Sequence, residues 1–76
     1  MASNERVRIE IGFDGGQIMG ADVTTSSADE LEQALANGTD ASLALEADDG
    51  RYTVAIRRVV YVKRFTREAR LGFTGS

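Results

Sequence analysis

The chain contains no cysteine, no histidine and no proline. Without cysteine or histidine there is no disulfide framework, no thiol nucleophile, no imidazole base and no zinc site of the usual ligand types. Without proline no strand is interrupted at a fixed φ. Long apolar runs are missing too, since none approaches the roughly 18 residues that a membrane-spanning helix requires. The opening stretch Met1 to Arg6 has no apolar core of signal-peptide type, so the expected location is the cytoplasm.

What remains is 76 residues weighing 8.2 kDa, enough for one domain. Apolar residues make up 42% and charged residues 28%, which fits a folded chain rather than a disordered tail. A chain this short buries only about 60% of the surface its unfolded form exposes. Lacking disulfides and metal, it has tight closure of a small barrel or self-association as its routes to a sufficient core.

Charge is segregated along the chain. Residues 1–50 carry two basic and eleven acidic residues, a balance of −9, whereas residues 51–76 carry seven basic and one acidic, a balance of +6. Two readings are open. The halves neutralise one another, within a chain or between copies, or the basic part faces an anionic partner.

Period-two alternation marks the strands. Val7, Ile9, Ile11 and Phe13 alternate with Arg6, Arg8, Glu10 and Gly12, and Asp14-Gly15-Gly16 supplies a hairpin turn. The strand returns over Gln17 to Val23, with Gly20 expected at a bend or bulge. Ser27 and Glu30 have the spacing of a capping box, with acidic residues in the first turn where the helix dipole favours them. Ala28 to Ala36 follows as a short amphipathic helix, its apolar stripe led by Leu31 and Leu35, and Asn37-Gly38 stops it. Ser42 to Ala47 is the third strand, with Leu43 and Leu45 inward. Asp48-Asp49-Gly50 is a turn, and Tyr52, Val54 and Ile56 form the inner face of the fourth strand. A continuous strand from 51 to 65 would be unusually long, so a kink is expected at Arg57-Arg58 before a fifth strand, Val59 to Phe65.

The expected fold class is therefore mainly β (α+β), an antiparallel β-β-α-β-β-β arrangement. It forms a small curved sheet or partly open barrel with one short helix between strands two and three. Residues 1–5 read as a flexible N-terminus, 6–65 as the single domain, and 66–76 as a partly ordered tail.

Two stretches resemble the Sm motifs. Val7, Ile9, Ile11, Asp14-Gly15-Gly16, Ile18, Gly20 and Val23 are similar to the first motif. Tyr52-Thr53-Val54-Ala55-Ile56-Arg57-Arg58-Val59-Val60 is similar to the second motif of the bacterial host-factor Q branch. The resemblance implies a five-stranded barrel assembled into rings. It stops short of that branch's uridine-binding chemistry, because Thr53-Val54 stands where the branch carries a Lys-His pair. The family's helix precedes its first strand, unlike the helix expected here. The chain also resembles short bacterial proteins that pair a DGG hairpin with a YVKRF strand, a likeness that implies no particular activity.

No catalytic set is evident, so the reading is of a protein that is not an enzyme and uses no cofactor and no metal. Asp29, Glu30 and Glu32 are explained by the helix start, and Asp48 and Asp49 by turn chemistry. Glu46, Asp48 and Asp49 lack the spacing of a calcium loop. The candidate anionic-partner residues are Arg57, Arg58, Lys63, Arg64, Arg67 and Arg70. Interleaved with them are Tyr61, Phe65 and Phe73 as candidates for stacking or for an interface. The competing reading puts Tyr61 and Phe65 in the core, in phase with Val59, and the arginines on a wet strand face. Overall the sequence points to a non-catalytic interaction module that self-associates or docks on a protein partner. The alternative is an RNA-binding small barrel using the basic C-terminal strip. Neither a membrane nor a small-molecule substrate is evident.

Overall fold

The computed structural model describes residues 5–39 and 41–66. Its elements are β1 (Arg6–Phe13), β2 (Ile18–Thr24), α1 (Thr25–Asn37), β3 (Ser42–Ala47), β4 (Gly50–Ala55), a 3-10 turn (Ile56–Arg58) and β5 (Val59–Arg64). The expected element order is thus present, including the kink at Arg57-Arg58, which is the 3-10 turn. The expectations for residues 1–4 and 67–76, and with them Arg67, Arg70 and Phe73, lie outside the described residues. None of the described helices is long and apolar enough to cross a membrane.

All five strands are antiparallel in one sheet of order β4-β3-β2-β1-β5. Alternation then divides the side chains. Ile9 and Ile11 of β1, Ala21 and Val23 of β2, Leu45 and Ala47 of β3 and Val54 of β4 are buried together with Ile56, Ala28 and Leu31. The helix covers this face, with Leu31 fully enclosed and Leu35 packed at the margin.

The sheet does not close into a barrel. β4 and β5 remain as its two edges, and the reason lies where β2 ends. Instead of continuing, β2 passes straight into α1, with Thr24 as the N-cap in extended conformation. β3 therefore meets β2 at a single paired position, Val23 opposite Ala47, supported by the Asp48 N–H donating to the Asp22 carbonyl at 3.0 Å. Beyond that point β3 runs beside the helix start. There the Ser27 hydroxyl oxygen accepts the Glu46 N–H at 3.0 Å, a donor that a longer β2 would have taken into the ladder.

This junction corrects the expected capping box. Thr24 Oγ1, not Ser27, caps the helix by accepting the Ser27 N–H at 3.1 Å, and the Thr24 hydroxyl also lies 3.0 Å from Ser27 Oγ. Ser27 is buried inside the first turn and serves β3 instead. Because the helix starts earlier than expected, no acidic residue falls in its first turn. At the other end Gly38 takes a left-handed conformation, φ 71°, and its N–H donates to the Ala34 and Leu35 carbonyls, as the sequence led one to expect.

Gly20 is not a bulge, since it pairs in regular register with Glu10. The irregularity lies instead at Gly12/Phe13, where β1 meets β5 and Val60 becomes the extra residue. That slip changes the phase of β5. Val59 and Val62 pack against the core, while Tyr61 and Phe65 do not, so the core reading of these two aromatics is not what the structure shows.

Ser27→Ala should destabilise the fold by about 1 kcal/mol, because it removes the part-buried hydrogen bond that joins the helix start to the Glu46 N–H of β3. The exposed neighbour change Ser26→Ala should stay within about 0.5 kcal/mol. Urea unfolding monitored by circular dichroism measures both.

Candidate interaction surface

The helix occupies one face of the sheet, and the candidate residues of β5 are divided between the two. The register places Tyr61 opposite Gly12 and Lys63 opposite Glu10, and Gly12 and Glu10 in turn face Ile18 and Gly20 of β2. Arg8 faces Asp22, and the Phe65 N–H donates to the Arg8 carbonyl at 3.0 Å. Three rows therefore cross the face opposite the helix: Ile18–Gly12–Tyr61, Gly20–Glu10–Lys63 and Asp22–Arg8–Phe65.

Contacts within this face are specific. The Tyr61 ring lies over Gly12 so closely that a Cβ there would stand 2.1 Å from the ring. Only glycine leaves that space. From this position the Tyr61 hydroxyl donates to Glu10 at 2.6 Å, a bond that raises the phenol pKa above its ordinary value, with partial desolvation and the nearby negative charge adding to it. Lys63 Nζ sits 4.6 Å from the centroid of the Phe65 ring, a cation–π arrangement. Arg8 pairs with Asp22 at 3.5 Å. Ile18 is 63% exposed and Val60 65%.

The remaining candidates point elsewhere. Arg64 lies on the helix face, in phase with Val62, and its guanidinium reaches Asp29 at 3.0 Å and Glu32 at 3.3 Å. The hydrogen bond to Asp29 is the main cause of its raised pKa, with burial opposing and Glu32 reinforcing it. Arg58, in the 3-10 turn, has its Nη1 3.3 Å from both carboxylate oxygens of Asp14. Arg57 forms no ion pair among the described residues. The structure thus brings Tyr61, Lys63 and Phe65 together on one face and sends Arg58 and Arg64 to acidic partners of the same chain. Among the described residues, the basic side chains of Arg57 to Arg64 do not form a single surface.

A cleft of about 760 Å³ opens between the β1–β2 turn and β4, lined by Phe13, Met19, Tyr52 and Val54 with Asp14 and Arg58 at its rim. Its two charged groups are bonded to each other at 3.3 Å, and Gln17, Tyr52 and Thr53 are its other polar lining residues. Tyr52 donates to Asp49 at 2.8 Å, which raises its pKa. Among the described residues no group of three or more acidic side chains is placed to hold a metal ion.

Sequence reasoning did not single out Ile18, Val60 or Glu10. Ile18 could have been found from the hairpin register, because a turn over Asp14 to Gly16 sets it opposite Gly12 and away from the core. Val60 depends on the bulge, for which the sequence carries no signal. Comparison with known proteins brings no parallel: no protein family, curated protein or solved structure matches this chain.

Ultraviolet titration should show both tyrosines ionising above the ordinary phenol range. Glu10→Gln should bring the Tyr61 midpoint down and leave that of Tyr52 in place, because the carboxylate that accepts the Tyr61 proton is then gone.

Proposed function

We propose that this protein is a non-catalytic interaction module that self-associates or docks on a protein partner through the outer edge of β5. One observation carries the reading: among the described residues, the main-chain groups on that edge have no partner strand. Phe65 donates to Arg8, and Lys63 and Tyr61 stand opposite Glu10 and Gly12. In an antiparallel ladder the bonded positions alternate, so the N–H and C=O of Val62 and Arg64 point away from the sheet. An unpaired, β-branched edge is a template for another strand.

Two common protections are weak here. The bulge affects only the start of β5 and leaves Tyr61 to Arg64 regular. Lys63 is drawn over Phe65 rather than standing guard beyond the edge. Next to the edge lie exposed Val60, Tyr61 and Phe65, the large apolar side chains an interface would bury. The resemblance of residues 7–23 and 51–65 to the Sm motifs agrees, because it implies assembly between copies. The acidic residues that an enzyme would need are engaged structurally: Asp48 with Arg6, Asp49 with Tyr52, and Asp29 and Glu32 with Arg64.

A second reading, RNA binding, is favoured by the alignment of Tyr61, Lys63 and Phe65 on one face. Against it, Glu10 and Asp22 share that face and Arg58 and Arg64 are already paired.

Sedimentation velocity over a wide concentration range should show association, and Val62→Pro should abolish it while the far-ultraviolet circular dichroism is unchanged. Proline at this position removes an outward N–H and no ladder bond to β1, but it also trims packing against the core. Val62→Ala, which trims that packing and keeps the N–H, is the control and should still associate. A chain that stays monomeric and meets no protein partner overturns the reading. Salt-sensitive binding to single-stranded RNA by such a monomer replaces it with the second.

A further inference from the structure

We propose that the partner of β5 is the β5 strand of a second copy, paired antiparallel across a two-fold axis through Val62, so that Lys63 of each chain lies against the partner's Tyr61. The inference rests on the self-association reading above and adds the partner and the register.

The edge itself limits the choices. Since Val62 and Arg64 are the outward-bonding residues, hydrogen-bonded pairs across a new interface must join even-numbered residues to even-numbered ones. Three centred two-fold registers satisfy this, with the axis at Tyr61, Val62 or Lys63. An axis at Lys63 sets it directly against the partner's Lys63 in a non-hydrogen-bonded pair, where side chains approach most closely. An axis at Tyr61 carries Arg64 past the end of the partner's β5, toward the partner's Arg58 in its 3-10 turn, and sets Lys63 against the partner's Val59, where it meets no ring or carboxylate. Like charges directly opposite one another are destabilising. The axis at Val62 avoids both.

That register also has attractive pairs. Val62 meets the partner's Val62, Arg64 faces the partner's Val60, and Phe65 faces the partner's Val59. On the open face Lys63 stands beside the partner's Tyr61, whose hydroxyl is bonded to the Glu10 carboxylate of its own chain. Lys63 has no acidic partner among the described residues, and its ammonium lies over its own Phe65 ring. In this register it reaches toward the outer side of the partner's Tyr61 ring, which leans back over Gly12 with the Glu10 carboxylate at its hydroxyl. Charge complementarity thus selects one register from three. The contact is isologous and closes at two copies, with the two sheets continuous across the axis.

The test uses the absence of native cysteine. In the proposed register residue 61 of one chain and residue 63 of the other form a non-hydrogen-bonded pair, with Cα atoms about 4.5 Å apart, within disulfide range. An equimolar mixture of Tyr61→Cys and Lys63→Cys chains, oxidised with oxidised glutathione, should give a cross-linked heterodimer, whereas each variant alone should not cross-link. Should removal of the Tyr61 ring unfold its chain, Val62→Cys alone serves, since it should cross-link with itself about the axis. Lys63→Glu should weaken dimerisation at least about tenfold, because it sets a carboxylate against the partner's Tyr61–Glu10 pair.

Cross-linking by Lys63→Cys alone or Tyr61→Cys alone, from a dimer in sedimentation, overturns the register and leaves self-association standing. Assemblies that grow beyond two copies overturn the closed two-fold in favour of head-to-tail contact. A strict monomer overturns this proposal together with self-association.

Discussion

The architecture depends on how β2 ends. Thr24 closes the strand and caps the helix within one residue, and Ser27, one turn on, accepts the Glu46 N–H of β3. A hydroxyl thereby takes the place of a strand at the point where the sheet would otherwise run on. Two hairpins meet at one corner instead of along a full ladder. The helix is held close over that corner, and Leu31 is fully buried in the same core as Ile9, Val23 and Leu45. Because the corner uses up β2 early, the strands cannot curl round to meet. β4 and β5 remain as the two free edges of the described sheet.

Much of this was legible in the sequence. Alternation at Val7 to Phe13, turns at Asp14-Gly15-Gly16 and Asp48-Asp49-Gly50, the Leu31/Leu35 stripe and the break at Arg57-Arg58 each depend on neighbours within a few residues, which local pattern reports well. The capping assignment went to Ser27 because a Ser-x-x-Glu spacing is a local rule. The competing demand on that hydroxyl comes from Glu46, far along the chain, and local spacing is blind to it. Barrel closure depends on how far β3 overlaps β2, which also follows from the Thr24–Ser27 junction rather than from strand count.

The candidate surface was less legible for the same reason. Parity assigned Tyr61 and Phe65 to the side of Val59, and parity holds only while the ladder is regular. One extra residue at Val60 turns both aromatics to the open face and brings Arg64 under the helix. Gly12, which reads as an ordinary outward position of β1, is the seat of the Tyr61 ring. A pair such as this, joining the first strand to the last, appears only when the two strands are laid side by side.

The segregation of charge can now be assigned a physical meaning. Arg51 reaches Glu46, Arg58 reaches Asp14 and Arg64 reaches Asp29 and Glu32, so acidic residues of the first part of the chain repeatedly meet bases of the second. Each exposed pair contributes little to stability, typically about 0–1 kcal/mol. Their effect lies in the field the surface presents: a carboxylate 3.0 to 3.3 Å from a guanidinium offsets its charge and weakens the attraction for an anion. A protein whose charges are largely matched internally, yet whose last described strand offers unpaired amides beside exposed valine, tyrosine and phenylalanine, is suited to meeting another strand. In the proposed pairing, hydrogen bonds and apolar contact would supply the affinity, and the unmatched charges among the described residues, Lys63 first among them, would set the alignment.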